Sequence, residues 1–215
     1  MKIKPLILAG LVALTGAVTI QAAGTVYSIN SVGYVNVDVP VGFSMIANPL
    51  DAGDNSLNNI IPLDAPSGTT IYKFKVNDGA FSSISTYVTT GFWGPNGDET
   101  LAPGEGAFIY APSAFSITFS GEVMQGELVN PLSAGFSIVS SQVPQAGSLS
   151  SLGFTPATGG DTVYKFNNGS GSYDIHTYIT GSLWGPSEPS VEVGESFFLF
   201  SQGAGSWNRN FSTNE

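Results

Sequence analysis

The strongest constraint on how this chain folds is that most of it is written twice. Gly42-Phe43-Ser44-Met45-Ile46 recurs as Gly135-Phe136-Ser137-Ile138-Val139, and Thr70-Ile71-Tyr72-Lys73-Phe74 recurs as Thr162-Val163-Tyr164-Lys165-Phe166. Thr86-Tyr87 returns as Thr177-Tyr178, and Trp93-Gly94-Pro95 as Trp184-Gly185-Pro186. Gly104-Glu105-Gly106-Ala107-Phe108 returns as Gly194-Glu195-Ser196-Phe197-Phe198, and Phe119-Ser120 as Phe211-Ser212. Landmarks kept in one order at a spacing of roughly ninety residues mark a duplicated unit. The copies span residues 26–122 and 123–212. No Pro-, Gly- or Ser-rich linker separates them. Ser120 to Val129 reads as β sequence running across the boundary, so the copies are expected to pack together.

Within each copy the apolar period is two. Phe115-Ser116-Ile117-Thr118-Phe119 alternates strictly, as a strand with one buried face does. Asn77-Asp78-Gly79 sits between β-type runs and reads as a hairpin tip, because Asn, Asp and Gly accept positive φ. No apolar series at helical spacing lasts three turns; single helical turns are expected near Leu57–Ile61 and Leu149–Leu152. The fold class is therefore all-β: two tandem homologous modules, each a β-sandwich or a small-barrel-like unit, packed together.

The first residues read as an export leader rather than as part of the fold. Lys2 and Lys4 precede an uncharged stretch, Leu6 to Ile20, and Gln21-Ala22-Ala23 offers small residues for cleavage. Residues 1–23 thus fit a signal peptide, and the stretch is short for a membrane span. The protein is expected outside the cytoplasm: in the periplasm, on the cell surface or extracellular. With no cysteine, it is neither a lipid-anchored lipoprotein nor held by disulfides.

Once the leader is removed, only Lys73, Lys75, Lys165 and Arg209 oppose 16 carboxylates. The formal net charge is then about −12, which repels nucleic acid and anionic headgroups. No membrane span is expected after cleavage.

The recurring side chains admit both chemical and structural uses. Trp93 and Trp184 could stack on a sugar or could plug the end of a core; the shared Gly-Pro turn favours the plug. Trp207 lacks a Trp counterpart in the first copy, which makes it the better candidate for ligand contact, with a core role weighing equally. Glu105 and Glu195, flanked by Gly104 and Gly194, resemble a glycosidase pair only if they meet; as separate turn residues they would accept backbone N–H groups. His176 is the only histidine, and its counterpart is Ser85. A metal site built on imidazole or thiolate is thereby excluded, no Gly-x-Ser-x-Gly turn is present, and no catalytic residue is assigned. Calcium fits weakly: Asp51, Asp54 and Asn55, and Asn96, Asp98 and Glu99, offer hard oxygens without the spacing of a calcium loop.

The runs Gly42-Phe43-Ser44-Met45-Ile46-Ala47-Asn48-Pro49-Leu50, Tyr72-Lys73-Phe74 and Pro103-Gly104-Glu105-Gly106-Ala107-Phe108 resemble a family of short exported proteins of unknown function from verrucomicrobial and related bacteria. The resemblance covers nearly all of the chain beyond the leader and implies an exported β module without a known activity. The expected function is non-enzymatic surface contact, as a structural or adhesive part of the cell envelope, with self-association through strand edges. The alternative is carbohydrate binding through exposed Trp or Tyr, and a remote alternative is a hydrolase.

Overall fold

A computed structural model describes residues 31–89, 92–181 and 183–213. The leader segment 1–23 lies outside the described residues. The first half contains β1 (Val32–Val39), β2 (Gly42–Ile46), α1 (Leu57–Ile60), β3 (Thr70–Lys75), β4 (Ala80–Thr89), β5 (Phe92–Trp93), β6 (Ala107–Ala111) and β7 (Phe115–Glu122). The second contains β8 (Gly126–Leu132), β9 (Gly135–Ser140), β10 (Gly147–Ser148), β11 (Thr162–Asn167), β12 (Ser172–Tyr178), β13 (Trp184–Gly185), β14 (Ser190–Val191), β15 (Ser196–Ser201) and β16 (Gly205–Phe211). The fold is all-β, with one short helix among the described residues.

Both halves build a five-stranded sheet and a two-stranded ribbon, and the second adds the two-residue pair β10-β14. Five strands lie in the order β2-β6-β3-β4-β5 in the first and β9-β15-β11-β12-β13 in the second. An antiparallel ribbon accompanies each: β1-β7 and β8-β16. In each five-stranded sheet the first and last strands do not pair with each other, so the packing is sandwich-like and neither sheet closes into a barrel.

Alternation along the strands explains this layering. In the first ribbon Val35, Val37, Ile117 and Phe119 face inward, while Ser116 Oγ donates to Asp38 Oδ1 at 2.6 Å and Thr118 Oγ1 to Asn36 Oδ1 at 2.7 Å on the outer face. Such cross-strand pairs fix the register. Ribbon, α1 and loops close over the inner face of the sheet, where Ile46, Ile71, Ala107 and Ile109 form the first core. The second core gathers Val139, Val163, Phe197, Leu199 and Trp207. The β3–β4 hairpin turns at Val76–Gly79, where Gly79 takes φ +61 and its N–H donates to Lys75 O at 3.0 Å.

Two expectations about the strands change. The β sequence across the module boundary is interrupted: β7 stops at Glu122 and β8 starts at Gly126. Val123 is buried in the first core and donates to Ser31 O, and Gly126 takes φ +85, which re-aims the chain into the second ribbon. The match of Phe119 to Phe211 is also two residues out of step. Val37 faces Ile117 in β1-β7, and its counterpart Asn130 faces Trp207 in β8-β16. Trp207 therefore replaces Ile117, and Arg209 replaces Phe119. Ribbon pairing sets this register, whereas the Phe-Ser dipeptide does not.

Candidate functional site

The duplicated motifs build the contact between the halves, and that contact has the form of a two-fold pairing. Ala47 N–H donates to Gly194 O at 2.8 Å, and at the equivalent place Ser140 N–H donates to Gly104 O at 3.0 Å. Isolated β-bridges join Ile46 to Glu195 and Val139 to Glu105. Near the axis, equivalent residues face each other. A Cβ on Gly106 would lie 2.5 Å from the Ser196 Cβ, and Ser196 Oγ donates to Ile46 O at 2.9 Å. Phe108 and Phe198 meet with centroids 6.0 Å apart; Phe108 packs on Phe166 and Phe198 on Phe74, both at 5.2 Å.

Around this centre the outer faces of both five-stranded sheets are aromatic, and much of that surface stays open. Two hollows flank the axis. One, about 440 Å³, is lined by Phe43, Tyr72, Phe81 and Phe108, with Phe166, Gly171 and Tyr173 from the other half. The second, about 360 Å³, is lined by the equivalent Phe136, Tyr164, Tyr173 and Phe198, with Ile175, and by Phe74 and Gly79 from the first half. Each hairpin tip thus walls the hollow of the opposite module. Asn168 in the second tip donates from Nδ2 to Phe43 O at 2.7 Å and to Val41 O at 3.0 Å. Phe43 and Phe136 remain 43% and 44% exposed, with Phe81, Tyr110, Ile84 and Ile175 exposed beside them. A patch of this kind on a folded protein favours contact with apolar or ring-shaped surfaces. Burial pushes the Tyr173 phenol above its ordinary pKa, so its hydroxyl stays neutral.

The tryptophans lie elsewhere. Trp93 is 1% exposed, stacked beside Tyr87 at 5.3 Å. Trp207 is 3% exposed, packs on Phe154 and donates its indole N–H to Leu152 O at 2.8 Å. Neither presents a ring to solvent, so the expectation of ligand contact at these two positions is corrected; for Trp207 the cause is the inward Ile117 position it occupies. Trp184 repeats the tyrosine pairing, with Tyr178 at 5.3 Å, but is only half-buried. It borders a hollow of about 200 Å³ with Phe154, Pro156 and Glu188. The first module packs α1 against β5, whereas the second has only the turn Leu149–Leu152 in its place.

Each glutamate closes its own turn. Glu105 Oε2 accepts the Ala102 N–H at 2.8 Å and the Lys73 ammonium at 3.0 Å. Glu195 accepts the Glu192 N–H at 2.9 Å and pairs with Lys165 at 3.1 Å. Gly104 and Gly194, at φ +95 and +81, make these turns possible. Burial pulls the Lys73 pKa below its ordinary value, against the opposing attraction of Glu105. Sequence reasoning missed these Lys–Glu pairs. The signal was present: two of the four cations among the described residues recur in step with two recurring glutamates.

His176 Nδ1 donates to Ser187 O at 2.7 Å. In the loops considered for calcium the oxygens accept N–H donors: Asp51 Oδ1 from Gly53 N and Asn55 Nδ2, Asp54 Oδ1 from Ser56 N, and Asp98 Oδ1 from Asn58 Nδ2. The Ser56 N–H holds the Asp54 carboxyl below the usual carboxylate range. Among the described residues no three His, Cys, Asp or Glu side chains gather as metal ligands, and no helix is long and apolar enough to cross a membrane. No family model, curated protein or solved structure matches the chain.

Proposed function

We propose that this is an exported, non-enzymatic β-repeat protein that works by surface contact, as a structural or adhesive component of the cell envelope, and that the shared aromatic face is its contact surface. The carrying observation is the pair of aromatic hollows flanking the module contact, with half-exposed rings at their rims. Covering such a face gains about 25 cal/mol per Å² of apolar area removed from water. Each glutamate is engaged by its own turn and a strand lysine, and His176 by the Ser187 carbonyl, which supports a role without chemistry. The test is the paired variant Phe43→Ser with Phe136→Ser. The wild type is expected to self-associate at high concentration or to sediment with isolated envelope material, and the variant to lose this while its urea midpoint stays close to wild type. Retained association would reject the face. Export is checked by the mass of the recovered chain, expected to begin at Ala23 or Gly24.

One observation favours carbohydrate binding as a second reading. Tyr34, 76% exposed, stands over a polar hollow of about 350 Å³ lined by Asp51, Asn59, Ser120 and Glu122. An exposed ring beside hydrogen-bonding groups suits a neutral sugar. Retention on neutral polysaccharide that disappears in Tyr34→Ala, with the aromatic-face variant unaffected, would place this reading first.

A further inference from the structure

We infer that the pairing surface between the two modules is also an intermolecular one: the first module of one chain pairs with the second module of another, so that chains exchange modules. The contacts at the axis carry this exchange, whatever the exposed rim of the aromatic face binds.

Contacts across the pseudo-two-fold are reciprocal. The bonds from Ala47 to Gly194 and from Ser140 to Gly104 are the same bond made twice, as are the two β-bridges and the two ring pairs at 5.2 Å. A self-complementary patch of this kind is the geometry of a two-fold dimer interface. Nothing in these contacts depends on the two modules belonging to one chain.

The surface nonetheless distinguishes first modules from second. At the axis Gly106 faces Ser196, its own equivalent, with no room for a Cβ on the glycine. Two second modules would set serine against serine in that space, and two first modules would leave a gap and lose the Ser196 Oγ bond to Ile46 O. The complementary pair is first with second.

What keeps the pairing within one chain is the link alone. Val123 is anchored in the first core, and Gln125 Oε1 accepts from Thr213 N and Oγ1 beside the second ribbon, so the hinge between the two anchors lies at Met124-Gln125 before Gly126. A short link gives an effective concentration on the order of millimolar. Exchange therefore competes when chains fold or crowd at that density, as on a surface. From Glu122 to Gly126 the hinge reaches at most about 14 Å; without Met124 and Gln125 the reach falls to about 7 Å.

Two experiments test this. In the first, the chain lacking Met124 and Gln125 is examined by light scattering at micromolar concentration. Dimers or larger closed species with β-type circular dichroism are expected, and a folded monomer would overturn the inference. In the second, which decides should the deletion not fold, two differently tagged wild-type copies are unfolded, mixed near 1 mM, refolded and diluted. Species retained on both affinity columns are expected when the two copies are refolded together, and not when they are refolded separately, then mixed and diluted. Absence of mixed species after joint refolding, or an equal yield after separate refolding, overturns the proposal.

Discussion

Adding one methyl group at Gly106 probes the axis most directly. A Cβ there would lie 2.5 Å from Ile138 Cγ2 and from Ser196 Cβ, and 2.7 Å from Ser196 Oγ. Ordinary carbon contacts settle near 3.5–4.0 Å, so the overlap is about 1 Å on two sides. Overpacking on this scale costs about 1–3 kcal/mol, offset by about 0.4–1 kcal/mol from the smaller unfolded-state entropy of alanine. Gly106→Ala should thus destabilise the chain by about 1–2 kcal/mol. Ser196→Gly alone loses the bond to Ile46 O, worth about 1 kcal/mol, and adds glycine flexibility in a strand, another 0.5–1 kcal/mol or so. Combined, the two substitutions should cost less than their sum by about 1 kcal/mol, because removing the serine side chain clears two of the three close contacts and leaves only Ile138 to turn aside. Urea unfolding followed by circular dichroism, run on both singles and the double, measures the coupling. A cycle that closes to within about 0.3 kcal/mol would mean that residues 106 and 196 do not meet across the axis.

Further expectations concern the cores and the titrating groups. Trp207→Ala should cost about 3–5 kcal/mol in urea unfolding, since it empties a core site and leaves Leu152 O without its donor, and Trp184→Ala, half-buried, should cost less. Lys73 has a folded-state pKa below its unfolded value, because burial disfavours its charge more than Glu105 favours it. Between the folded and unfolded values the unfolded chain holds more protons, so this residue's contribution makes stability rise with pH on the way to 10.5. Urea midpoints of wild type and Lys73→Met should therefore converge or cross in that alkaline window; a difference that is flat with pH would contradict the burial argument. Tyr173, raised by burial, should titrate late in an ultraviolet pH titration, and Tyr173→Phe should remove that late component.

Most of the architecture was legible because it follows from alternation. The run Phe115–Phe119 places Ile117 in the core and Ser116 at the surface, as strict period two requires. The aromatic face was less legible, although its signal lies in strands that alternate poorly. Ala107-Phe108-Ile109-Tyr110-Ala111 and Ser196-Phe197-Phe198-Leu199-Phe200 carry large apolar groups on both faces, and a strand with two apolar faces belongs to a sheet covered on both sides. Read that way, Phe108 and Phe198 mark a second layer. Ribbon register was the other loss. A Phe-Ser dipeptide in a region rich in both residues aligns easily at the wrong step, and only pairing with β8 shows Trp207 on the core side. Composition also drew attention to indoles, whereas the exposed rings include Phe43, Phe81, Phe136, Tyr110, Tyr173 and Tyr34.

The Lys–Glu turns carry one more consequence. Lys73, Lys75 and Lys165 are each spent on a glutamate, and Arg209 is committed to Ser151 O and Gln145 Oε1. Every positive charge among the described residues is thus paired within the chain, and what a visitor senses from a distance is a net anionic halo. Dissolved salt collapses that halo to a Debye length of about 8 Å at physiological strength. Encounters between like copies should quicken as ionic strength rises, the reverse of the behaviour of a protein that recruits its partners by opposite charge.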